Sequence, residues 1–446
     1  MSSRRSAAEV VKGVFDAAGL GALPFALRFW DESEIPAAGP ARFTVAVNRP
    51  RALAFLLREP NQLGLGRAWV SGDLDLVGEL GELFAVGDEL RGAKVGVAAR
   101  LRAILAARDL GVLSTAWRLR PPAAEARPAG RLHSPQRDRR AISHHYDVSD
   151  DFYRIVLGPS LVYSCAYFDQ PRESLEAAQA RKLDLICRKL DLAPGERLLD
   201  VGCGWGSLVI HAAARYGVRA VGVTISEAQA ELGRRRIREA GLADRCEIRL
   251  ADYRELDDGP YDKVASVGMY EHVGTGRLDR YVAAVAALLR PGGLFLNHGI
   301  ARLDSRPGGQ KSFIARYVFP DGELQPLDSL LAGLRRAKLE VRDVESLREH
   351  YPLTLRRWGA NLAARREEAI VAAGIERERV WRLYMTGSAH AFERGDITVF
   401  QTLAARPGAA HGLPLDRTRL APPEPTPMAW GREVGRGPSE PGRETR

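Results

Sequence analysis

The chain has 446 residues, 45% of them hydrophobic, and is long enough for two or three domains with a substantial core. Lysine and arginine (65) exceed aspartate and glutamate (56) by nine, which predicts attraction to anionic partners such as nucleic acid or acidic lipid headgroups. The four cysteines are too few and too scattered for a disulfide framework or a zinc cluster, and they indicate a reducing cytoplasm. We expect no secretion signal and no membrane span, because no apolar run reaches roughly 18 to 20 residues.

The amino-terminal part, residues 1–117, is predicted to form a small α/β domain. Residues 42–47 have a strand pattern, and residues 51–58 and 97–107 have helical patterns. No catalytic constellation is found among these residues.

A linker is predicted at residues 118–140 from its content of proline, alanine and arginine. Its seven arginines face only Glu125 and Asp138, so it carries 7 − 2 = +5 of the net charge. Two interpretations stay open: a solvated flexible tether, or a contact with anionic lipid. The catalytic domain is predicted at residues 141–405, and residues 406–446 are predicted to be a disordered tail.

The most informative motif is the run of residues 198–206, Leu-Leu-Asp-Val-Gly-Cys-Gly-Trp-Gly. An apolar strand leads directly into a turn with Gly202, Gly204 and Gly206, and a helix follows. Such a turn lets the backbone approach a nucleotide-like ligand closely, next to the unpaired N–H groups of the helix N-terminus. Alone the motif is weakly specific.

The following strands narrow the choice of ligand. The second, residues 220–223, ends at Thr224 and lacks the carboxylate that a nicotinamide ribose site requires about 20 residues after the turn. The third, residues 246–250, is followed by Asp252 and Tyr253, and the fourth, residues 263–267, runs into Gly-Met-Tyr-Glu-His. Polar residues at the carboxyl ends of parallel strands predict a Rossmann-like α/β sheet with an S-adenosylmethionine (SAM) site.

Each predicted cofactor residue has a role in that site. The three glycines are expected to cradle the methionine portion, Thr224 and Gln229 to bind the ribose, and Asp252 to accept a hydrogen bond from the adenine amino group. Asp200 and Tyr253 complete this set. The alternative for Asp252 is a cap of the next turn.

Six motifs in this order resemble the cyclopropane-fatty-acyl-phospholipid synthase family, over about residues 30–405. The motifs are HHYDVS (144–149), YSCAYF (163–168), GCGWG (202–206), VTIS (223–226), GMYEHVG (268–274) and YVFPDG (317–322). The resemblance implies a class I SAM-dependent methyltransferase domain, with the smaller amino-terminal α/β domain as an accessory, lipid-recruiting unit.

The family also implies site residues that the pattern alone does not show. Tyr163 and Ser164 would line the cofactor site. A bound bicarbonate ion would be held by five residues from separate strands and loops: Cys165, Glu271, His298, Ile300 and Tyr351. Without the resemblance, His298 is read as a structural residue and Cys165 as a buried hydrophobe. His144-His145 is expected to order a lid, and no metal is expected.

The reaction implied is the attack of an alkene on the SAM methyl group, which leaves a carbocation on an acyl chain. An anion beside that charge in an apolar tunnel stabilises it, because screening there is weak. Loss of one proton gives a cyclopropane, and loss of another gives a 10-methylene fatty acid, the precursor of 10-methylstearate. Gly299 and Ser388 depart from the familiar pattern, which leaves both products open.

The interpretation is therefore a SAM-dependent C-methyltransferase of cis-unsaturated phospholipid acyl chains, cytoplasmic and peripheral at the inner face of the cell membrane. The expected partners are the phospholipid and an anionic membrane surface, with a flavin-dependent reductase and a homodimer as further candidates. The alternatives are a small-molecule N-methyltransferase and a non-catalytic lipid-binding protein. No nucleic-acid partner is expected, because the fourth strand is not followed by the loop that flipped-base methylation requires.

Overall fold

The computed structural model describes residues 5–21, 23–90, 96–127, 130–134, 136–140, 149–303 and 312–416. The predicted lid pair His144-His145 and residues 417–446 of the predicted tail lie outside the described residues.

The amino-terminal part contains a four-stranded sheet in the order β2-β1-β3-β4. Its strands are β1 (Ala26–Phe29), β2 (Glu34–Ile35), β3 (Thr44–Val47) and β4 (Leu74–Val77). Strands β1 and β3 are parallel, and the other two pairs are antiparallel. The helices are Ala7–Ala17, Arg51–Arg58, Gln62–Val70, Leu80–Glu89, Val97–Asp109 and Leu113–Ala116.

The second sheet has eight strands, in the order β11-β12-β9-β8-β5-β6-β7 with β10 beside β9. They are β5 (Arg197–Val201), β6 (Arg219–Thr224), β7 (Cys246–Leu250), β8 (Tyr261–Val267), β9 (Leu289–Arg302), β10 (Gln325–Pro326), β11 (Glu340–Ser346) and β12 (Ile397–Ala405). All neighbours are parallel except those of β12, which is antiparallel to both β9 and β11. The strand order reverses beside β5, and such a switch point leaves a crevice where open α/β sheets bind ligands.

Helices accompany this sheet along the chain. They are Asp150–Leu157, Leu175–Lys189, Ser207–Tyr216, Glu227–Glu239, Leu278–Leu288, Phe313–Tyr317, Leu327–Arg336, His350–Ala364, Arg366–Ala373 and Ile375–Arg394. No helix among the described residues is both long enough and apolar enough to cross a bilayer.

The core is built on both faces of the second sheet. Leu198 and Leu296 pack in one apolar cluster, whereas their neighbours Leu199 and Phe295 pack in another. This division follows from the two-residue period of a strand, and a strand that is covered on both faces reads as a continuous apolar run. A third cluster joins Phe55 and Trp69 of the amino-terminal part to aromatic residues of the catalytic part.

The described part of the linker is fastened to the catalytic part. Ala126 N donates to Arg316 O over 2.7 Å, and Arg137 donates to both carboxylate oxygens of Asp321 over 2.6 Å each. These bonds contradict the interpretation of the segment as a solvated flexible tether. Arg406, at the start of the predicted tail, donates its N–H to Gly293 O over 2.9 Å.

Candidate active site

The glycine turn follows β5 and depends on the missing side chains. Gly202 has φ +80° and Gly206 has φ +79°, a region that L side chains rarely adopt. A Cβ on Gly202 would lie 2.9 Å from Met269 Cγ, and one on Gly206 would lie 2.6 Å from Ile248 Cδ1. The sequence therefore folds this way only with glycine at both positions.

The turn opens into a cavity of about 180 Å³ at the carboxyl ends of β5, β6, β7 and β8. Except for Gly206, which caps the following helix, all predicted cofactor residues line it: Tyr163, Ser164, Asp200, Gly202, Gly204, Thr224, Gln229, Asp252 and Tyr253. Residues from three strand ends and one preceding loop thus share one cavity.

Thr224 and Gln229 hold each other on the cavity wall. The Thr224 hydroxyl donates to Gln229 Oε1 over 2.7 Å and accepts from Ser226 N over 3.2 Å. Both residues are buried.

Asp252 lies on the same wall, but its carboxylate is already engaged. It accepts from Arg254 N over 3.0 Å and from the Arg254 guanidinium over 2.5 and 2.8 Å. Burial raises the pKa of Asp252, yet the hydrogen bonds from Arg254 outweigh burial and the pKa lies below its ordinary value. The turn-capping alternative therefore describes its contacts. Arg254 also reaches Asp138 of the linker over 3.3 Å, and Asp138 lines the cavity.

Lys182 is a cavity residue that sequence reasoning missed. Its side chain is almost fully buried, and Nζ donates to the Ser164 hydroxyl over 2.9 Å. No described carboxylate forms an ion pair with it, and burial lowers its pKa to about 8. Its helical spacing from the buried Ala178 and Leu185 is a signal that could have found it.

Asp200 is a buried acidic residue that lines the same cavity as Lys182. Its Oδ1 has no hydrogen-bond partner among the described residues. Burial raises the pKa of Asp200 to about 7, and the charge of Lys182 acts in the opposite direction. The cavity is therefore lined by a buried lysine and a buried aspartate that form no hydrogen bond with each other in the described structure.

A second group of predicted residues includes Glu271, which follows β8, and His298 and Ile300, which lie on the neighbouring strand β9. Glu271 is in the single turn Tyr270–His272, and its Oε1 accepts from Ile300 N over 2.7 Å. Its Oε2 is buried and has no partner among the described residues, and burial raises the pKa of Glu271 to about 7. This pKa allows a protonated carboxyl that can donate a hydrogen bond.

His298 lies two residues before Ile300 on β9, so both side chains lie on one face of the sheet. The Gln401 amide nitrogen is 3.2 Å from His298 Nδ1 and donates to it, which leaves the ring proton on Nε2. Nε2 is buried without a partner among the described residues, and burial holds the pKa of His298 well below its usual range. A neutral imidazole thus presents an unused N–H.

Cys165 and Tyr351 are linked to this part of the sheet only through neighbouring residues. Cys165 Sγ lies 3.8 Å from Leu347 O, and Leu347 N donates to Val399 O, the strand partner of Ile300. Ala166 N donates over 3.0 Å to Thr354, which lies one helical turn after Tyr351. Burial raises the pKa of the Cys165 thiol, so it stays neutral.

The two groups adjoin across β8 and β9. Val267 at the end of β8 lines the cavity, and it is the register partner of His298. The five residues of the second group do not line the cavity themselves. No three histidine, cysteine or acidic side chains are arranged to hold a metal ion within the part of the chain that the structure describes.

Comparison with known proteins identifies the family. The family model described as mycolic acid cyclopropane synthetase matches residues 133–402. The chain belongs to this family. The match covers both groups of site residues.

Two curated relatives extend the similarity into the amino-terminal part. A probable fatty acid methyltransferase of Pseudomonas putida is 41% identical over 402 residues, which cover 89% of this chain and 95% of the relative. The tuberculostearic acid methyltransferase UfaA1 of Mycobacterium tuberculosis is 34% identical over 400 residues, 86% of this chain and 88% of its own.

A solved structure shares the fold of the catalytic part. The mycolic acid cyclopropane synthase CmaA1, complexed with SAH and CTAB, superposes with a TM-score of 0.57 and 34% identity over 60% of this chain and 98% of its own. The predicted Rossmann-like methyltransferase fold is confirmed.

Proposed function

We propose that this family member transfers a methyl or methylene carbon from SAM to the cis double bond of an unsaturated phospholipid acyl chain. The observation that carries the proposal is the pair of unpartnered, buried polar atoms, Glu271 Oε2 and His298 Nε2, beside a cavity that suits the cofactor. The relatives named as fatty acid methyltransferases support an acyl chain as the acceptor.

The cavity residues fit SAM. The side-chain-free turn at Gly202, the polar Thr224–Gln229 pair and the unpartnered Asp200 oxygen offer the close approach and the polar contacts that its amino acid and ribose need. When bound, SAM supplies an electrophilic methyl carbon. The task of the residues is to hold it, to orient it and to exclude water.

Aromatic side chains next to the cavity suit an acyl chain. The Tyr163 ring lies 5.3 Å from Trp358 and 5.5 Å from Trp381 between ring centroids, and its hydroxyl is 3.3 Å from that of Tyr384. Such faces bind apolar chains and stabilise a nearby positive charge through the ring quadrupole.

The second group is proposed to hold a bicarbonate ion. A protonated Glu271 and the N–H of His298 are hydrogen-bond donors without partners in the described structure, and Ile300 N already donates to the other Glu271 oxygen. Cys165 and Tyr351 are proposed to complete the site. When bound, bicarbonate supplies a base close to the reacting carbon. Burial strengthens its attraction to a developing cation, because charges in an apolar site are little screened.

The proposal includes either product, the cyclopropane or the 10-methylene chain, since both follow from the same first step. The similarity to a tuberculostearic acid methyltransferase favours the second, for which a flavin-dependent reductase is the proposed partner. We place the enzyme at the inner face of the cell membrane as a peripheral protein, with the amino-terminal part as its accessory domain.

The substitution Glu271→Gln tests the proposal. We expect SAM affinity, measured by calorimetry, to change less than threefold, and methyl transfer to unsaturated phospholipid to fall by at least about 100-fold, as for removal of one preorganised polar group. Glu247→Gln, which alters an exposed ion pair with Arg249, is the control and keeps full activity. Full activity in Glu271→Gln would contradict the assigned role.

A further inference from the structure

The helix Val97–Asp109 buries small side chains and exposes large apolar ones, the reverse of an ordinary surface helix. Its small residues Ala99, Ala106 and Ala107 are buried. Its large apolar residues face solvent instead: Val97 is 72% exposed, Leu101 58%, Ile104 47% and Leu105 50%. A surface helix of a globular protein normally buries its large apolar side chains, so this face lacks a partner within the described structure.

The exposed apolar residues form one continuous stripe. At 3.6 residues per turn, Val97, Leu101, Ile104 and Leu105 fall within a sector of about 100°. Arg100 lies on one side of this stripe, Arg102 lies on the other, and Arg108 lies at its carboxyl-terminal end. An apolar stripe between cationic borders is typical of helices that lie in the interface of a membrane.

A tryptophan and further charges follow this helix. Trp117 is 78% exposed, and tryptophan is enriched at the depth of lipid headgroups. Arg118 and Arg120 come directly after it. None of the five arginines around the stripe and Trp117 forms an ion pair with a described residue, so their charges are available to an anionic surface.

We propose that the stripe, with Trp117 and the five arginines, docks on the surface of an anionic phospholipid bilayer. The proposal rests on the proposed function, which it deepens by assigning the contact with the lipid. Charge complementarity selects the occupant, because an apolar face bordered by uncommitted arginines matches acyl chains beneath anionic headgroups. The docking contact is thereby assigned to the helix and Trp117. In the linker, Arg137 is already engaged by Asp321.

Vesicle binding of the full chain tests the assignment. We compare co-sedimentation with vesicles of phosphatidylglycerol and phosphatidylcholine (equal parts) and of phosphatidylcholine alone, at low and high salt. The wild type is expected to bind the anionic vesicles and to lose binding at high salt. Leu101→Asp combined with Leu105→Asp should lower partitioning at least tenfold, and Arg100→Gln with Arg102→Gln should lower it about fivefold per arginine at low salt.

A matched control separates this face from general surface hydrophobicity. Val371→Asp changes a residue that is 89% exposed on the helix Arg366–Ala373 and should leave partitioning unchanged. The proposal would be overturned if Val371→Asp and Leu101→Asp/Leu105→Asp lost vesicle binding equally. It would also be overturned if Leu101→Asp/Leu105→Asp bound vesicles as well as the wild type does. The proposal would also be overturned if the wild type were a dimer, and the leucine double variant were a monomer that still binds vesicles. A second copy of the chain would then be the occupant of this face.

The same samples distinguish failure of docking from failure of the proposed function. SAM affinity and transfer to a detergent-dispersed unsaturated lipid should be unchanged in the double variant, since none of its substituted residues lines the cavity. If the wild type transferred no methyl group to the detergent-dispersed lipid, the result would count against the proposed function alone. Retained transfer with unchanged vesicle binding by the variant would count against docking alone.

Discussion

Lys182 and Lys189 lie on one helix and are equally buried, yet their surroundings differ. Lys189 pairs with Asp343 and Glu345, whereas Lys182 donates to a neutral hydroxyl and faces the cavity. A buried charge without a paired carboxylate is costly, and such groups persist where function requires them. We therefore expect the two lysines to respond in opposite ways to the same substitution.

Lys182→Met should stabilise the protein and impair it as an enzyme. The pKa of Lys182 falls from 10.5 to about 8 on burial, so the charged form is penalised in the folded state. That penalty is fully present below pH 8 and disappears towards pH 10.5, where the unfolded chain also loses the proton. At pH 7 its removal contributes up to about 3 kcal/mol, so Tm should not fall, while kcat falls at least tenfold.

Lys189→Met is the control for that prediction. It removes a cation that pairs with the buried Asp343, which costs about 3–5 kcal/mol, so Tm should fall while kcat is retained in the folded fraction. Thermal unfolding and methyl-transfer assays on both variants give the comparison. A destabilised Lys182→Met enzyme with normal kcat would show that Lys182 only supports the fold.

At the scale of elements, local pattern predicted the buried strands well. The third Rossmann strand, predicted at residues 246–250, is found there, and the strands predicted at residues 198–201, 220–223 and 263–267 are one or two residues longer. The strands β5, β6 and β8 are mostly buried apolar runs, whereas the edge strand β7 alternates buried Cys246 and Ile248 with the exposed Glu247. Both patterns are local, so the sequence alone shows them. The cofactor residues were predicted from the same strands, because open α/β sheets bind ligands at the carboxyl ends of their strands.

Contacts between distant segments could not be predicted in this way. The Arg254 pairing of Asp252, the placement of Asp138 in the cavity wall and the docking of the linker all depend on tertiary packing. Helix Val97–Asp109 shows the same limit, because its apolar spacing indicates a helix but not which face is covered. The five residues that the family resemblance implies have no common sequence signal, since they come from four separate segments of the chain.

At the scale of the whole molecule, a buried network joins the amino-terminal part, the linker and the catalytic part. Arg67 donates to both carboxylate oxygens of Glu125 over 2.7 Å each, and Tyr317 donates to the same carboxylate over 3.1 Å. Nearby, Trp69 Nε1 donates to Arg379 O over 2.9 Å. These contacts hold the amino-terminal part, the linker and the catalytic part together.

Arg67→Met should weaken that network. The substitution leaves the Glu125 carboxylate buried without its cation, and we expect the free energy of unfolding to fall by about 3–5 kcal/mol. Arg42→Met removes exposed pairs with Glu82 and Glu89 and should lower the free energy of unfolding much less, because water and salt screen exposed ion pairs. Urea unfolding of both variants measures the difference. Equal losses would show that the Arg67 network does not couple the two parts.

The most direct test of the central claim is mass spectrometry of phospholipids incubated with the purified protein and methyl-labelled SAM. Vesicles of a cis-unsaturated lipid and of its saturated counterpart are compared, and adenosylhomocysteine is counted. The account predicts that the unsaturated acyl chain gains one labelled carbon for each adenosylhomocysteine released, and that the saturated chain gains none. Equal labelling of both lipids, label on the headgroup, or no adenosylhomocysteine would contradict it.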